Sequence, residues 1–126
     1  MLLDSQVLIW LLDDDRRLSG GARERLAAAP RVFFSAASTL ELTIKSMLGR
    51  LELPVGWMDR LGDAGLAALA ITPEHTAGLV DFPELVGHDP FDRILMAQAL
   101  VEQIPLVTAD RVLLGLGLDW VLDAGS

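Results

Sequence analysis

The chain has 126 residues, 52% of them hydrophobic, and a formal net charge of −8. That length suits one domain with a full hydrophobic core, and the acidic balance argues against a protein that coats nucleic acid through a basic face. With no cysteine and only two histidines, His75 and His88, disulfides, thiolate zinc sites, a cysteine nucleophile and a three-histidine zinc site are all excluded.

Mean hydropathy is +0.41, yet the longest apolar runs, such as Leu66 to Ile71, are far too short to span a bilayer. The opening MLLDSQVLIWLL has no basic n-region and carries Asp4 where a signal peptide should be clean. These features predict a soluble, cytoplasmic chain whose surplus apolar surface is covered by a partner chain.

In chain order, Leu2 and Leu3, closed by Asp4, read as a short buried strand, and SQVLIWLL follows at once as a helix. In LSGGARERLAAA, Ser19 reads as a cap and Gly20-Gly21 as a turn, before a helix that Pro30 ends. RVFFS, Arg31 to Ser35, is a compact strand. The pattern is helical from Ala37 to about Leu48, where Gly49 stops it, and Pro54 opens another helical stretch to about Gly65. LAALAI has helical propensity, but its position before Thr72-Pro73 suits a strand. Pro73 starts a short helix to about Val80. A helix from Pro90 to about Gln103 leads into the strand IPLVT, and LDWVL reads as a weaker edge strand after Gly115 and Gly117. Strands separated by helices pair in parallel. The expectation is one α/β domain over 1–126, a three-layer α/β/α sandwich around a parallel sheet of four to five strands. In such sheets ligands gather at the carboxyl ends of the strands.

That rule gives meaning to the acids. Asp4 ends the first strand, and Asp110 lies just past IPLVT. Glu41 and Asp92 stand in the first turns of helices that border the same rim. Each has an ordinary alternative. Asp89 before Pro90 is best read as an N-cap, and Asp92 could merely complement the helix dipole. Glu41 could pair with Lys45 at i+4, although it interrupts the otherwise apolar series Ala37, Ile44, Leu48, where a charge needs a partner or a metal. Asp110 beside Arg111 could be a turn residue. Asp4 is hardest to dismiss, having no basic residue within eleven positions. Asp13, Asp14 and Asp15, beside Arg16 and Arg17, read as a solvated turn.

Several carboxylates brought together cannot all stay ionised without a cation. An all-oxygen set favours Mg²⁺ or Mn²⁺. Such a centre suits phosphodiester hydrolysis, because the metal lowers the pKa of a water and offsets charge on the transition state, with no histidine base required. Ser5 and Thr108 could orient a carboxylate or a metal water, or simply bond to backbone at strand ends. His88 could touch a scissile phosphate, though a loop histidine ahead of an N-cap is more often solvated. Arg93 could face the phosphate or pair with Asp92 or Asp89.

The stretches LLDSQVLIWLL, SAASTLELTIKSMLGRLELP and, most specifically, HDPFDRILMAQAL followed by PLVTAD resemble the PIN-domain ribonucleases, and within them the VapC-type toxins of bacterial toxin–antitoxin pairs. The resemblance covers nearly the whole chain. It implies that Asp4, Glu41 and Asp92 bind the metal, with Asp110 as a fourth acid whose role is less uniform. It further implies Mg²⁺- or Mn²⁺-dependent endonucleolytic cleavage of an RNA substrate, a homodimer, and inhibition by a cognate antitoxin. Ser5 stands where a threonine is usual, Gln6 where histidine is frequent, and Thr39-Leu40 where many members place a tryptophan. An acidic pocket is also a natural socket for an antitoxin arginine that would replace the metal's charge.

Two other readings remain at this point. A receiver-type phosphoacceptor domain also carries an acidic Mg²⁺ pocket, but the sole lysine, Lys45, falls mid-helix rather than at a strand end. A non-catalytic PIN-like interaction protein would bind a partner and cut nothing. The ten basic residues are scattered, so no single track for a substrate is visible.

Overall fold

The computed structural model describes residues 1–126. Five strands form one parallel sheet: β1 (Leu2–Leu3), β2 (Val32–Ser35), β3 (Leu66–Leu69), β4 (Leu106–Thr108) and β5 (Val121–Asp123), in the order β3-β2-β1-β4-β5. Helices α1 (Ser5–Leu12), α2 (Gly20–Ala28), α3 (Ala36–Met47), α4 (Trp57–Asp63), α5 (Pro73–Ala77), α6 (Pro90–Glu102) and α7 (Arg111–Leu114) connect them. The three-layer α/β/α sandwich expected from the sequence is the architecture observed.

The two-residue strand β1 occupies the centre. Leu2 lies opposite Phe33 and Leu106, and Leu3 opposite Phe34 and Val107. Because strand side chains alternate between faces, Leu3, Phe34 and Val107 enter one core with Val7, Leu8, Leu42 and Leu61. Leu2 and Leu106 enter the other with Ala37, Leu85, Leu95 and Met96. Both leucines of β1 have no exposed surface. A buried sheet centre forces polar groups to its ends, and Asp4 is the first residue beyond it.

The structure shifts several expected boundaries for local reasons. Gly20 and Gly21 form the first turn of α2 rather than a separate turn, because Ser19 caps that helix by accepting from Ala22 N at 3.0 Å. A Cβ on Gly21 would lie 2.7 Å from the Ser126 backbone oxygen, so any side chain there would force that segment to shift. The helix expected from Pro54 starts at Trp57, after Gly56 in the left-handed region at φ 71°. The helix from Pro73 ends at Ala77 and tightens into 3₁₀ turns over Gly78–Asp81 and Pro83–Leu85. Strand β4 omits Ile104-Pro105, and β5 falls later than LDWVL, over Val121–Asp123.

The series Ala37, Glu41, Ile44, Leu48 is buried only in its first half. Ile44 and Leu48 face solvent together with Leu40, Met47, Val55 and Met58, leaving an apolar surface on α3, α4 and the segment between them. No helix is long and apolar enough to cross a membrane.

Candidate functional site

Asp4 is both the end of β1 and the N-cap of α1. Its Oδ1 accepts from Val7 N at 2.9 Å and its Oδ2 from the Thr108 hydroxyl, while its own N–H donates to Val107 O. The side chain is buried. Its carboxyl is raised to about 6, chiefly by burial and in smaller part by the charge of Asp110, against the donors Thr108 and Val7, which lower it.

Glu41 comes from the first half of α3 and is also buried. The Ser5 hydroxyl donates to its Oε1 at 2.6 Å, and Lys45 Nζ lies 2.7 Å from its Oε2. The i+4 pair with Lys45 therefore exists, but it orients Glu41 at the cleft instead of removing it to solvent. Ser5 serves Glu41 rather than its neighbour Asp4.

Asp92 stands in the first turn of α6. Burial, then the negative charges of Asp4, Asp89, Asp110 and Glu41, raise its carboxyl to about 7. Asp110 caps α7, its Oδ1 accepting from Val112 N at 2.8 Å and Leu113 N at 3.1 Å. Thr108 joins two acids, donating to Asp4 and accepting from Asp110 N at 3.0 Å. Asp4, Glu41, Asp92 and Asp110 thus line one cleft of about 510 Å³ at the carboxyl end of the sheet, with Ser5 and Lys45 in its wall.

His88 departs from the solvated position expected for it. Its Nε2 lies 3.2 Å from Asp92 Oδ2 and 3.4 Å from Asp110 Oδ2. The available clue was its place just ahead of the Asp89 N-cap, close in sequence to Asp92 in the first turn of α6. Arg93 is a correction in the other direction. One residue beyond Asp92 it points round the helix, donating to Val86 O at 3.3 Å and pairing with neither Asp89 nor Asp92. Asp89 caps α6 through Phe91 N at 2.8 Å. In the acidic turn, Asp15 pairs with Arg17 at 2.7 Å and Asp14 with Arg23 at 3.0 Å.

The donor set fits a hard divalent cation. Four carboxylates converge, with Asp89 a fifth in the lining, while the cations there are already paired: Lys45 with Glu41, Arg17 with Asp15 and Arg111 with Asp123. Buried Asp4 and half-buried Asp92 both hold protons above the ordinary carboxylate range. A cation bound among them would let these groups ionise and would relieve their repulsion.

The chain belongs to the PIN-domain family, whose profile it matches over residues 1–116. It is 32% identical over 114 residues to Ribonuclease VapC22 of Mycobacterium tuberculosis, covering 88% of this chain and 87% of that protein. Its fold is similar to two solved structures. One is a chain of a toxin–antitoxin complex from Klebsiella pneumoniae (TM-score 0.60, 19% identity, 86% of this chain and 85% of that one). The other is a chain of VapBC2 from Rickettsia felis bound to a DNA fragment from their promoter (TM-score 0.68, 14% identity, 97% and 95%).

Proposed function

We propose that the chain is the toxin of a toxin–antitoxin pair, a divalent-cation-dependent endoribonuclease acting in the cytoplasm. The observation that carries the reading is the convergence of Asp4, Glu41, Asp92 and Asp110 on one cleft in a chain 32% identical to a named ribonuclease. These four acids would hold Mg²⁺ or Mn²⁺. When bound, the cation supplies charge to a phosphodiester and acidity to a water.

The chain's own groups do the positioning. Thr108 fixes one oxygen of Asp4 and the backbone of Asp110, and Ser5 and Lys45 fix Glu41. Second-layer donors of this kind hold ligand carboxylates in one rotamer, so little ordering entropy remains to be lost on binding. The one hydroxyl lining the cleft, that of Ser5, is committed to Glu41 as a donor, which favours direct attack by water over a chain-linked intermediate.

The exposed apolar residues of α3 and α4 support association with a second copy and with an antitoxin, since surfaces of this kind are normally covered. An antitoxin arginine would find its charge complement in the acidic cleft. A toxin–antitoxin complex with no basic side chain in the cluster would overturn that part.

The test is cleavage of total cellular RNA by partner-free protein with Mn²⁺ or Mg²⁺, with EDTA, and by Asp92→Asn. Discrete metal-dependent fragments absent from the variant are expected. Cutting that persists in EDTA or in the variant refutes the site. An absence of cutting by protein that binds metal favours an interaction module.

A further inference from the structure

We propose that His88 is a direct nitrogen ligand of the cation in this cleft, and that it makes the site prefer first-row transition ions over Mg²⁺. The inference rests on the nuclease reading above and adds a residue and an ion preference to it.

The oxygens of the four acids differ in how much of their accepting capacity the protein already uses. Both oxygens of Asp4 already accept from the protein, from Val7 N and the Thr108 hydroxyl. Both oxygens of Glu41 are engaged by Ser5 and Lys45. Asp110 Oδ1 takes two backbone N–H groups. Asp110 Oδ2 and Asp92 Oδ2 face only His88 Nε2, at 3.4 and 3.2 Å. One ligand atom from each of the three residues falls within 4.8 Å of the other two. Cis ligands around an octahedral cation, at bonds of about 2.1 Å, lie roughly 3 Å apart. A small inward adjustment therefore converts this hydrogen-bonded trio into one face of a coordination shell.

Geometry also leaves the ring free to serve. His88 Nδ1 has no hydrogen-bond partner in the protein, so it can carry the ring proton while Nε2 turns its lone pair to the cation. The ring is held in place at 21% side-chain exposure, and its segment enters the N-cap of α6 directly, so no lid or loop closure is required.

The chemical consequence is selectivity. Mg²⁺ is a hard ion that keeps oxygen ligands and sheds water reluctantly. Affinity for a mixed nitrogen–oxygen set rises along the first-row series from Mn²⁺ to Co²⁺ and beyond. Four carboxylates alone would discriminate weakly. One imidazole in the shell tilts the site towards the later ions.

Calorimetric titration of the full chain with Mg²⁺, Mn²⁺ and Co²⁺ alone tests this, beside His88→Ala and His88→Gln, with thermal melts to verify folding. Expected is a loss of at least tenfold for Co²⁺ and a smaller loss for Mn²⁺ in both variants, with Mg²⁺ changed less than about threefold. His88→Gln separates ligation from support. Its amide reaches the Nε2 position and can still donate to Asp92, but it ligates poorly, so it should behave like His88→Ala. Wild-type-like Co²⁺ affinity in His88→Gln, or equal proportional losses for all three ions, overturns the proposal while leaving the acidic site standing. If the wild-type chain binds none of the ions, the nuclease reading fails with it.

Discussion

Asp92→Asn should make the metal-free protein more stable at pH 8 while removing its proposed activity. Asp92 is the acid with the fewest compensations, since no backbone or hydroxyl donor serves it and its one contact is His88. Its carboxyl sits at about 7 against an ordinary value of 3.8. At full strength that shift corresponds to about 4 kcal/mol. The side chain keeps 19% exposure and water screens part of the repulsion, so about 2 kcal/mol is the working figure. The sign follows from linkage. Below pH 3.8 the group is protonated in both folded and unfolded chains. Between 3.8 and about 7 only the unfolded chain releases the proton, so stability falls as pH rises through that window and then levels off. Asparagine removes this slope. Urea denaturation in EDTA at pH 8 should show Asp92→Asn about 2 kcal/mol more stable than wild type with an unchanged m-value, and the gain should vanish near pH 4. Equal or lower stability of the variant at pH 8 would refute the view that Asp92 is held in a repulsive cluster.

Two further outcomes follow from buried hydrogen bonds, one in the site and one beyond it. Thr108→Val keeps the shape of a buried side chain but withdraws the donor to Asp4, which raises that carboxyl above about 6. The cost should be about 2 kcal/mol at pH 8 and clearly less at pH 5, where Asp4 is protonated in either protein, as read from denaturation midpoints. Gln98→Leu removes the acceptor of the Ser35 hydroxyl, 2.5 Å away with both groups fully buried. It should cost about 1–3 kcal/mol in denaturation while leaving calorimetric metal affinity unchanged, because this pair lies outside the acidic cleft.

Much of this architecture was legible from short-range signals. Pro30, Gly49, Pro73 and Pro90 punctuate the chain because their backbone restrictions act whatever lies around them, and they mark elements to within a few residues of β2, α3, α5 and α6. The meeting of Asp4, Glu41, Asp92 and Asp110 was legible for a different reason. A parallel sheet delivers all its strand ends to one edge, so residues far apart in sequence share a rim. Side-chain direction was not legible. Whether His88 turns inward and Arg93 outward depends on the path of the segment before α6, which is set by contacts distant in sequence. The exposure of Ile44 and Leu48 escaped for a similar reason. Helical periodicity defines a face, but only neighbouring elements decide how far along the helix that face is covered.

The position of β1 also bears on when the acidic centre comes into being during synthesis. The central strand is synthesised well before its partner β4 and the Thr108 donor to Asp4, which lie 104 residues downstream. Until that segment has left the ribosome, the middle of the sheet has one neighbour instead of two and Asp110 is missing from the rim. Such long-range pairing is slow to form and late to reward. A nascent chain that stops before β4 therefore carries Asp4 and Glu41 without the centre that they help to build, and that centre forms only once the segment bearing Thr108 and Asp110 has emerged.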